Sequence, residues 1–199
     1  MSIDRNLTYL VYLPKPYYFK RVQKILRDLK PKKIHIICES KLSISDEQYV
    51  VHILDSVAKK IFFLFRELKD IRHDYLIASN YDMPFFQSLY WKVKNKRLIT
   101  FDEGVGNLRN ESIYYSTKYN FSRAKKRFIL NKLTGFPKPP GLIVKSSELH
   151  YTLLPQEVAE HPLKEEVSLK HLPLGKSKME IKTIFLGTDT YWTFYPSKE

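Results

Sequence analysis

Short apolar runs alternate with one-faced helical repeats along the first hundred positions of the chain. The runs Leu7–Leu13, Lys33–Cys38, Tyr75–Ala78 and Arg97–Phe101 have the length of buried strands. Between the first two, Tyr18–Leu29 carries apolar residues at spacings of three and four, which predicts an amphipathic helix. Strands that alternate with helices in this way predict an α/β fold with a Rossmann-like parallel sheet, covered on both faces.

Other segments give less regular patterns. Asp46–Val57 predicts a helix with Ser45 as its N-cap, and Arg66–Ile71 also has helical spacing. Ile61–Phe65 fits a strand or a helix. A helix capped by Asp82, with Pro84 in its first turn, is predicted to end near Val93. Further elements are predicted as short strands at Leu142–Val144, His150–Leu154 and Lys182–Leu186, a basic helix at Ser122–Leu133, and a linker within Pro155–Lys178.

Composition places the chain among globular proteins with an anionic partner. Hydrophobic residues make up 43% and aromatic residues 14%, which is typical of a chain that folds. The net charge of +13 fits nucleic acid, an anionic membrane surface or an acidic sugar nucleotide. The single cysteine, Cys38, lies in an apolar run and is expected to be a small buried hydrophobe. One thiol, and an N-terminus without a secretion signal, predict a cytoplasmic location.

The segment after Arg97–Phe101 holds the strongest candidate chemistry. Asp102, Glu103 and Gly104 follow the end of that strand directly, and ligands of open α/β sheets bind outside the carboxyl ends of strands. Repulsion between two adjacent carboxylates predicts a raised pKa for one of them, which suits a general acid or base near neutrality. An ordinary acidic turn is the simpler alternative.

The sequence motifs do not predict a bound cofactor. Gly104 and Gly106 are not followed by the third glycine of a dinucleotide fingerprint, so NAD is not predicted. The six histidines and Cys38 show no metal-ligand spacing, so no metal is predicted either.

The segment Thr100–Gly104 is similar to the Thr-Phe-Asp-Asp-Gly motif of bacterial sialyltransferases of glycosyltransferase family 52, with Glu103 in the second acidic place. Ile77–Tyr81 through Gln87, and His150–Thr152, also resemble segments of that family in the same order. Ile184–Gly187 is similar to the start of the family's second domain. The chain therefore resembles the lipooligosaccharide and capsule sialyltransferases.

The resemblance implies the N-terminal domain of a GT-B fold. Residues 1–172 are expected to form the acceptor-side Rossmann-like domain, and residues 173–199 a linker and the first strand of an incomplete donor-binding domain. The implied reaction transfers sialic acid from CMP-sialic acid to a galactosyl acceptor, with inversion and without a metal or another cofactor. Asp102 would be the base and Glu103 would help to orient it. The implied substrate-binding residues are Ser79, Gln87, Gly104 and Asn107.

The chain departs from the family in its second motif, a His-Pro pair that assists the departing phosphate of CMP. His161-Pro162 occurs before the expected domain junction, so a phosphate contact of His161 is only a weak implication. Two Rossmann-like domains need roughly 250 residues, so the 199 residues predict a largely missing donor domain and no transfer by this polypeptide alone. An exposed cleft wall would favour a homodimer.

Two interpretations without catalysis stay open. A basic module for RNA or DNA explains the charge, but the aromatics occupy core-like positions and no RRM or KH signature occurs. A membrane-peripheral assembly protein would use the basic face of Arg123–Lys132, which is also typical of a solvated helix. The position of Asp102 separates these interpretations, since a transferase is expected to hold it in an open cleft at a strand end.

Overall fold

The fold is an α/β arrangement around one parallel sheet. The computed structural model describes residues 7–79, 81, 83–93, 97–102, 138–153 and 167–172. Its strands are β1 (Thr8–Leu13), β2 (Lys33–Cys38), β3 (Tyr49–Ile53), β4 (Tyr75–Ala78), β5 (Arg97–Phe101), β6 (Leu149–Thr152) and β7 (Ser168–His171). They form a seven-stranded sheet in the order β3-β2-β1-β4-β5-β6-β7, and every neighbouring pair is parallel. The predicted Rossmann-like sheet is thus confirmed, and its order reverses between β1 and β4.

The helices of the described ranges lie on both faces of this sheet. They are α1 (Phe19–Leu29), α2 (Val57–Phe62), α3 (Pro84–Lys92) and α4 (Pro140–Lys145). A 3-10 turn, Pro16–Tyr18, precedes α1; a π-helical turn, Phe63–Glu67, and a 3-10 turn, Leu68–Asp70, continue α2. The apolar side of α1 belongs to one core, while α3, α4 and the two turns after α2 contribute to a second core. Within the described ranges, no helix combines the length and the apolar content needed to cross a membrane.

Strand β1 belongs to both cores because its side chains point alternately to the two faces. Leu10 and Tyr12 pack with α3, α4 and the turns that follow α2, whereas Tyr9, Val11 and Leu13 pack with α1. All five are fully buried, as expected for the centre of a parallel sheet. The neighbouring strand β2 buries Cys38, which confirms the expected small hydrophobe.

Helix α1 follows its predicted amphipathic pattern and ends in an unusual backbone conformation. Val22, Ile25, Leu26 and Leu29 are its buried residues, at spacings of three, one and three. The helix stops at Lys30, whose N–H donates to the Leu26 carbonyl at 2.8 Å. Lys30 has a φ of 50°, which makes it the one non-glycine residue with positive φ among the described residues.

The helix predicted over Asp46–Val57 is wrong. Residues Tyr49–Ile53 form β3, which pairs in parallel with β2 along its whole length. The strand contains three β-branched residues, and β2 supplies the backbone partners that a helix would have found within itself. Asp46 starts a turn by accepting the Gln48 N–H at 2.9 Å, and the helix cap is Ser56 instead of Ser45, since its side chain accepts from the Lys59 N–H.

The strand predicted over Leu142–Val144 is also wrong, because these residues lie within α4. Pro140 stands at the first helical position, where its missing N–H is harmless and its fixed φ favours the helix. The segment Pro155–Lys178, part of which is predicted as a linker, contains strand β7. Residues 61–71 resolve into the end of α2 and its two following turns, and the cap of α3 is Met83. Several predictions fall outside the described residues, at Asp82, at Ser122–Leu133 and in the whole of 173–199, which includes the predicted strand Lys182–Leu186.

Candidate functional site

The candidate site lies where the strands of the parallel sheet end. Ser79 directly follows β4, and Asp102 directly follows β5. Because β4 borders the point at which strand order reverses, both residues lie at the edge where open α/β sheets bind their ligands. The Arg21 guanidinium of α1 reaches the same edge, with its Nη1 3.4 Å from the Asp102 carbonyl oxygen.

Asp102 is held by β6 as well as by its own strand. Its N–H donates to the Tyr151 carbonyl at 2.9 Å, which extends the ladder between β5 and β6 by one bond. Its carboxylate accepts from His150 Nε2 at 3.0 Å and from the Leu153 N–H at 3.0 Å. The side chain is fully buried, so the carboxylate stands in neither an open cleft nor an exposed turn.

The charge of Asp102 is stabilised against the effect of its burial. Burial alone raises the pKa of a carboxyl group, because the charged form loses water. The hydrogen bond and charge of His150, with further bonds from Leu153 and Thr152, outweigh that effect and hold the pKa of Asp102 below its ordinary value. The raised pKa expected for one of the two adjacent carboxylates is therefore not found at Asp102. Glu103 lies outside the described residues.

A chain of buried hydrogen bonds leads from Asp102 into the core. His150 Nδ1 lies 2.8 Å from Thr100 Oγ1, the Thr100 hydroxyl donates to Ser147 Oγ at 3.0 Å, and Ser147 donates to the Val144 carbonyl at 2.6 Å. His150 thus joins the Asp102 carboxylate to the two buried hydroxyls of Thr100 and Ser147.

Ser79 is the described residue at this edge with an unused polar group. Its side chain is fully buried, and its hydroxyl has no hydrogen-bond partner. The Tyr81 N–H donates to the Ser79 carbonyl at 2.8 Å, which bends the chain sharply after β4. Tyr81 in turn donates its hydroxyl to the Phe101 carbonyl at 3.0 Å and so joins the ends of β4 and β5. Buried hydroxyls normally have partners, so a free one at a strand end indicates a group that a ligand can satisfy.

Gln87 contacts backbone rather than open space. Its amide nitrogen donates to the Tyr81 and Lys138 carbonyls, and its amide oxygen accepts from the Lys138 N–H at 3.0 Å. These bonds tie the start of α4 to the turn after β4, which assigns Gln87 a structural function. Its predicted contact with a substrate stays a prediction.

The remaining predicted site residues, Glu103, Gly104, Asn107 and His161, lie outside the described residues. Among the residues that are described, no three His, Cys, Asp or Glu side chains gather where they could share a metal ion. The sequence placed His150 in a short predicted strand and did not indicate its bond to Asp102. The available signal was weak: a histidine and a threonine, His150 and Thr100, each interrupt a short apolar strand.

Comparison with known proteins does not assign this chain to a family. No protein-family model matches this chain, and no curated protein matches it either.

Proposed function

We propose that this chain provides the acceptor side of a sialyltransferase-like glycosyltransferase with a GT-B architecture. Its substrates would be CMP-sialic acid and a galactosyl acceptor of lipooligosaccharide or capsule. The observation that carries the proposal is the position of Asp102: the first carboxylate of an Asp-Glu-Gly motif lies at the carboxyl end of β5 in a Rossmann-like sheet. Ligands of such sheets bind at this edge, and the resemblance to family 52 assigns the acceptor to it.

The proposed chemistry is an inverting displacement. A carboxylate accepts the proton of the acceptor hydroxyl, whose oxygen bonds to the anomeric carbon of sialic acid as the bond to the CMP phosphate breaks. Positive charge develops on the sugar ring in the transition state, so a nearby ionised carboxylate also stabilises it electrostatically. Asp102 is in the ionised form at neutral pH because its pKa is lowered.

The two carboxylates of the motif differ in what they offer this reaction. A general base must come within hydrogen-bond distance of the proton that it takes. Asp102 has no exposed surface and donors on both carboxylate oxygens in the conformation described. This geometry favours a positioning function for Asp102 in the motif. Glu103, the other carboxylate of the motif, is then the alternative candidate for the base.

Ser79 is the proposed acceptor contact. Its hydroxyl is buried and unpartnered one residue beyond β4, next to the reversal of strand order. A sugar hydroxyl would satisfy it in a more open conformation than the one described, since the Ser79 side chain has no exposed surface there. Arg21 adds a positive charge at the same edge.

Galactoside binding tests the acceptor side directly. Lactose added to the full chain should give saturation-transfer signals in NMR, and Ser79→Ala should weaken binding by about twofold to tenfold, the effect of one neutral hydrogen bond. Ser88→Ala is the matched control, because Ser88 is equally buried but donates to the Pro84 carbonyl within α3. A folded chain that binds no galactoside would overturn the proposal.

Donor binding and transfer separate the remaining assignments. Calorimetric titration with CMP tests whether a nucleotide site lies within the chain, and a heat signal that is lost in His161→Ala would assign the phosphate contact. In a transfer assay from CMP-sialic acid to lactose, the chain alone is expected to give no product. If product forms, replacing the base should lower the rate by about a hundredfold or more, and parallel assays of Asp102→Asn and Glu103→Gln then show which carboxylate has that function.

A further inference from the structure

An exposed apolar surface lies along α2 and the elements next to it. We call it the α2 surface and define it by the exposed large side chains of this region: Ile53, Val57, Ile61, Phe62, Phe65 and Trp91. Phe62 and Phe65 keep 56% and 63% of their surface in contact with solvent. No residue of α2 itself is buried. Exposed apolar surface of this extent is typical of an interaction site.

The helical spacing places part of this surface in one stripe. Ala58, Ile61 and Phe62 stand at positions i, i+3 and i+4, which share one side of α2, and the exposed Phe65 follows in the π-helical turn. The opposite side is anchored by Phe63 and Leu68, both buried and five residues apart, which is the repeat of a π-helical turn. The π-helical turn therefore lets the segment anchor itself on the sheet while it keeps a second apolar side exposed.

A recess extends the stripe towards the sheet edge. The space between β3 and the start of α2 has a volume of about 570 Å³ and is lined by Ile53, Leu54, Ala58 and Phe62, together with the polar side chains His52, Lys59 and Glu67. The α2 surface thus combines exposed aromatic rings with a mainly apolar recess beside them.

Cationic side chains surround the stripe. Lys59, Arg66, Lys69, Arg72 and Lys92 are all exposed. Residues 53–72 contain five basic and three acidic positions. Lys59 pairs with Asp55 at 2.9 Å and Lys60 with Glu39 at 2.8 Å, while Glu67 lies 3.6 Å from His52. The Lys92 ammonium lies 4.3 Å from the centre of the Phe65 ring and 5.4 Å from the Trp91 ring. The positive charges therefore stand among the aromatic rings as well as around them.

We propose that the α2 surface docks on an anionic lipid surface. Aromatic and aliphatic side chains would enter the boundary between headgroups and acyl chains, while lysine and arginine stems extend towards the phosphates. The net charge of +13 adds attraction to the same surface. A protein partner fits less well, because lysine is depleted from protein interfaces and here Lys92 lies over the central ring. This inference does not depend on the proposed transferase activity.

Vesicle co-sedimentation of the full chain tests the proposal. Binding is expected to vesicles of equal parts phosphatidylglycerol and phosphatidylcholine, and the double variant Phe62→Ser, Phe65→Ser should weaken it at least about tenfold. Lys69→Gln should weaken binding about fivefold on these vesicles and leave pure phosphatidylcholine unaffected. The matched control is Tyr17→Ser with Leu142→Ser, since both residues are exposed apolar side chains away from the α2 surface.

A fluorescence readout localises the contact. Trp91 is one of two tryptophans, so in a Trp192→Phe background its emission should shift to shorter wavelength when vesicles are added. Thermal unfolding of each variant confirms that the exposed substitutions leave the fold intact. Vesicle binding that is unchanged in the double variant would overturn the proposal, as would a chain that binds no vesicles. Self-association that the same double variant abolishes, without vesicle binding, would overturn it in favour of a second copy of the chain.

Discussion

Asp102 and His150 meet where water is excluded, and the ionised carboxylate depends on the donors around it. The imidazole, the Leu153 N–H and the Thr152 side chain keep the carboxylate charged. A carboxyl whose pKa is lowered by folding contributes stability above its ordinary value of 3.8, and this contribution is lost as the pH falls below that value. The same bonds fix the start of the segment that carries the Asp-Glu-Gly motif.

Removal of the imidazole should therefore destabilise the protein strongly. His150→Leu is expected to lower the free energy of unfolding by about 3 kcal/mol or more, because it leaves a buried charge without its partner. Urea unfolding followed by circular dichroism measures the loss. His171→Leu is the control, since that histidine is exposed on β7 and its replacement should have little effect. Adding Asp102→Asn to His150→Leu should restore part of the stability, because it removes the unpaired buried carboxylate; equal losses in the single and double variants would contradict this coupling.

His35 predicts a second dependence on pH. Burial, with contributions from the charges of His52, Lys33 and His73, lowers the pKa of His35 to about 4 from an ordinary 6.5. The unfolded chain then takes up a proton at higher pH than the folded chain, so stability is complete above pH 6.5 and falls between 6.5 and about 4. The loss from this residue is at most about 3 kcal/mol. His35→Gln should flatten the stability curve in that window, and an unchanged slope would contradict the assignment.

At the scale of elements, the segment from α2 to Asp70 shows how a helix can be attached by few residues. Phe63 and Leu68 reach the core, where the His52 ring of β3 meets the Phe63 ring edge-on at 5.1 Å between centroids. The Ser56 side chain and the Asp55–Lys59 pair stabilise the first turn. The attachment of the segment therefore depends on one aromatic side chain more than on any other.

Two neighbouring phenylalanines test this orientation. Phe63→Ala should lower the free energy of unfolding by about 3 kcal/mol or more, since it opens a cavity in the core. Phe62→Ala should change it by less than about 0.5 kcal/mol, because that ring is largely exposed. Chemical denaturation of the two variants gives the comparison. Equal losses would show that the helix is turned differently on the sheet.

The elements that the sequence predicted well are those whose pattern is local. The strands at Thr8–Leu13, Lys33–Cys38, Tyr75–Ala78 and Arg97–Phe101 are continuous apolar runs, and parallel strands buried on both faces produce such runs. Strand β3 was missed because its outward residues are only partly buried, so its apolar spacing also fits a helix. The bond from His150 to Asp102 joins residues 48 positions apart, and no local pattern reports such a contact.

At the scale of the whole molecule, the central strand couples two cores. Since β1 supplies side chains to both cores, loss of the helices on one face of the sheet would expose buried residues of β1. The same strand also holds the core on the other face, which would be weakened as well. The strands at the two ends of the described sheet are different: β3 is half-buried, and three of the four residues of β7 are exposed. Stability should therefore decrease from β1 towards both ends of the sheet.

Native-state hydrogen exchange measures this gradient. Amides of β1 and of its neighbours β2 and β4 should exchange only through global unfolding, while those of β3 and β7 should exchange through local opening with a lower free energy. Leu10→Ala and Val11→Ala, on opposite faces of β1, should each lower the protection of both cores. Independent behaviour of the two faces would contradict their coupling.

Lys30 occupies a position at which a glycine would make the protein more stable. A residue with a β-carbon is strained at a φ of 50°, and glycine adopts this conformation without that strain. Lys30→Gly should therefore raise the midpoint of thermal unfolding, by an amount that corresponds to up to about 1 kcal/mol. The position lies beyond the last turn of α1, away from Asp102 and from the α2 surface. Destabilising changes needed to study those two regions can thus be introduced in a Lys30→Gly background that compensates for part of their effect.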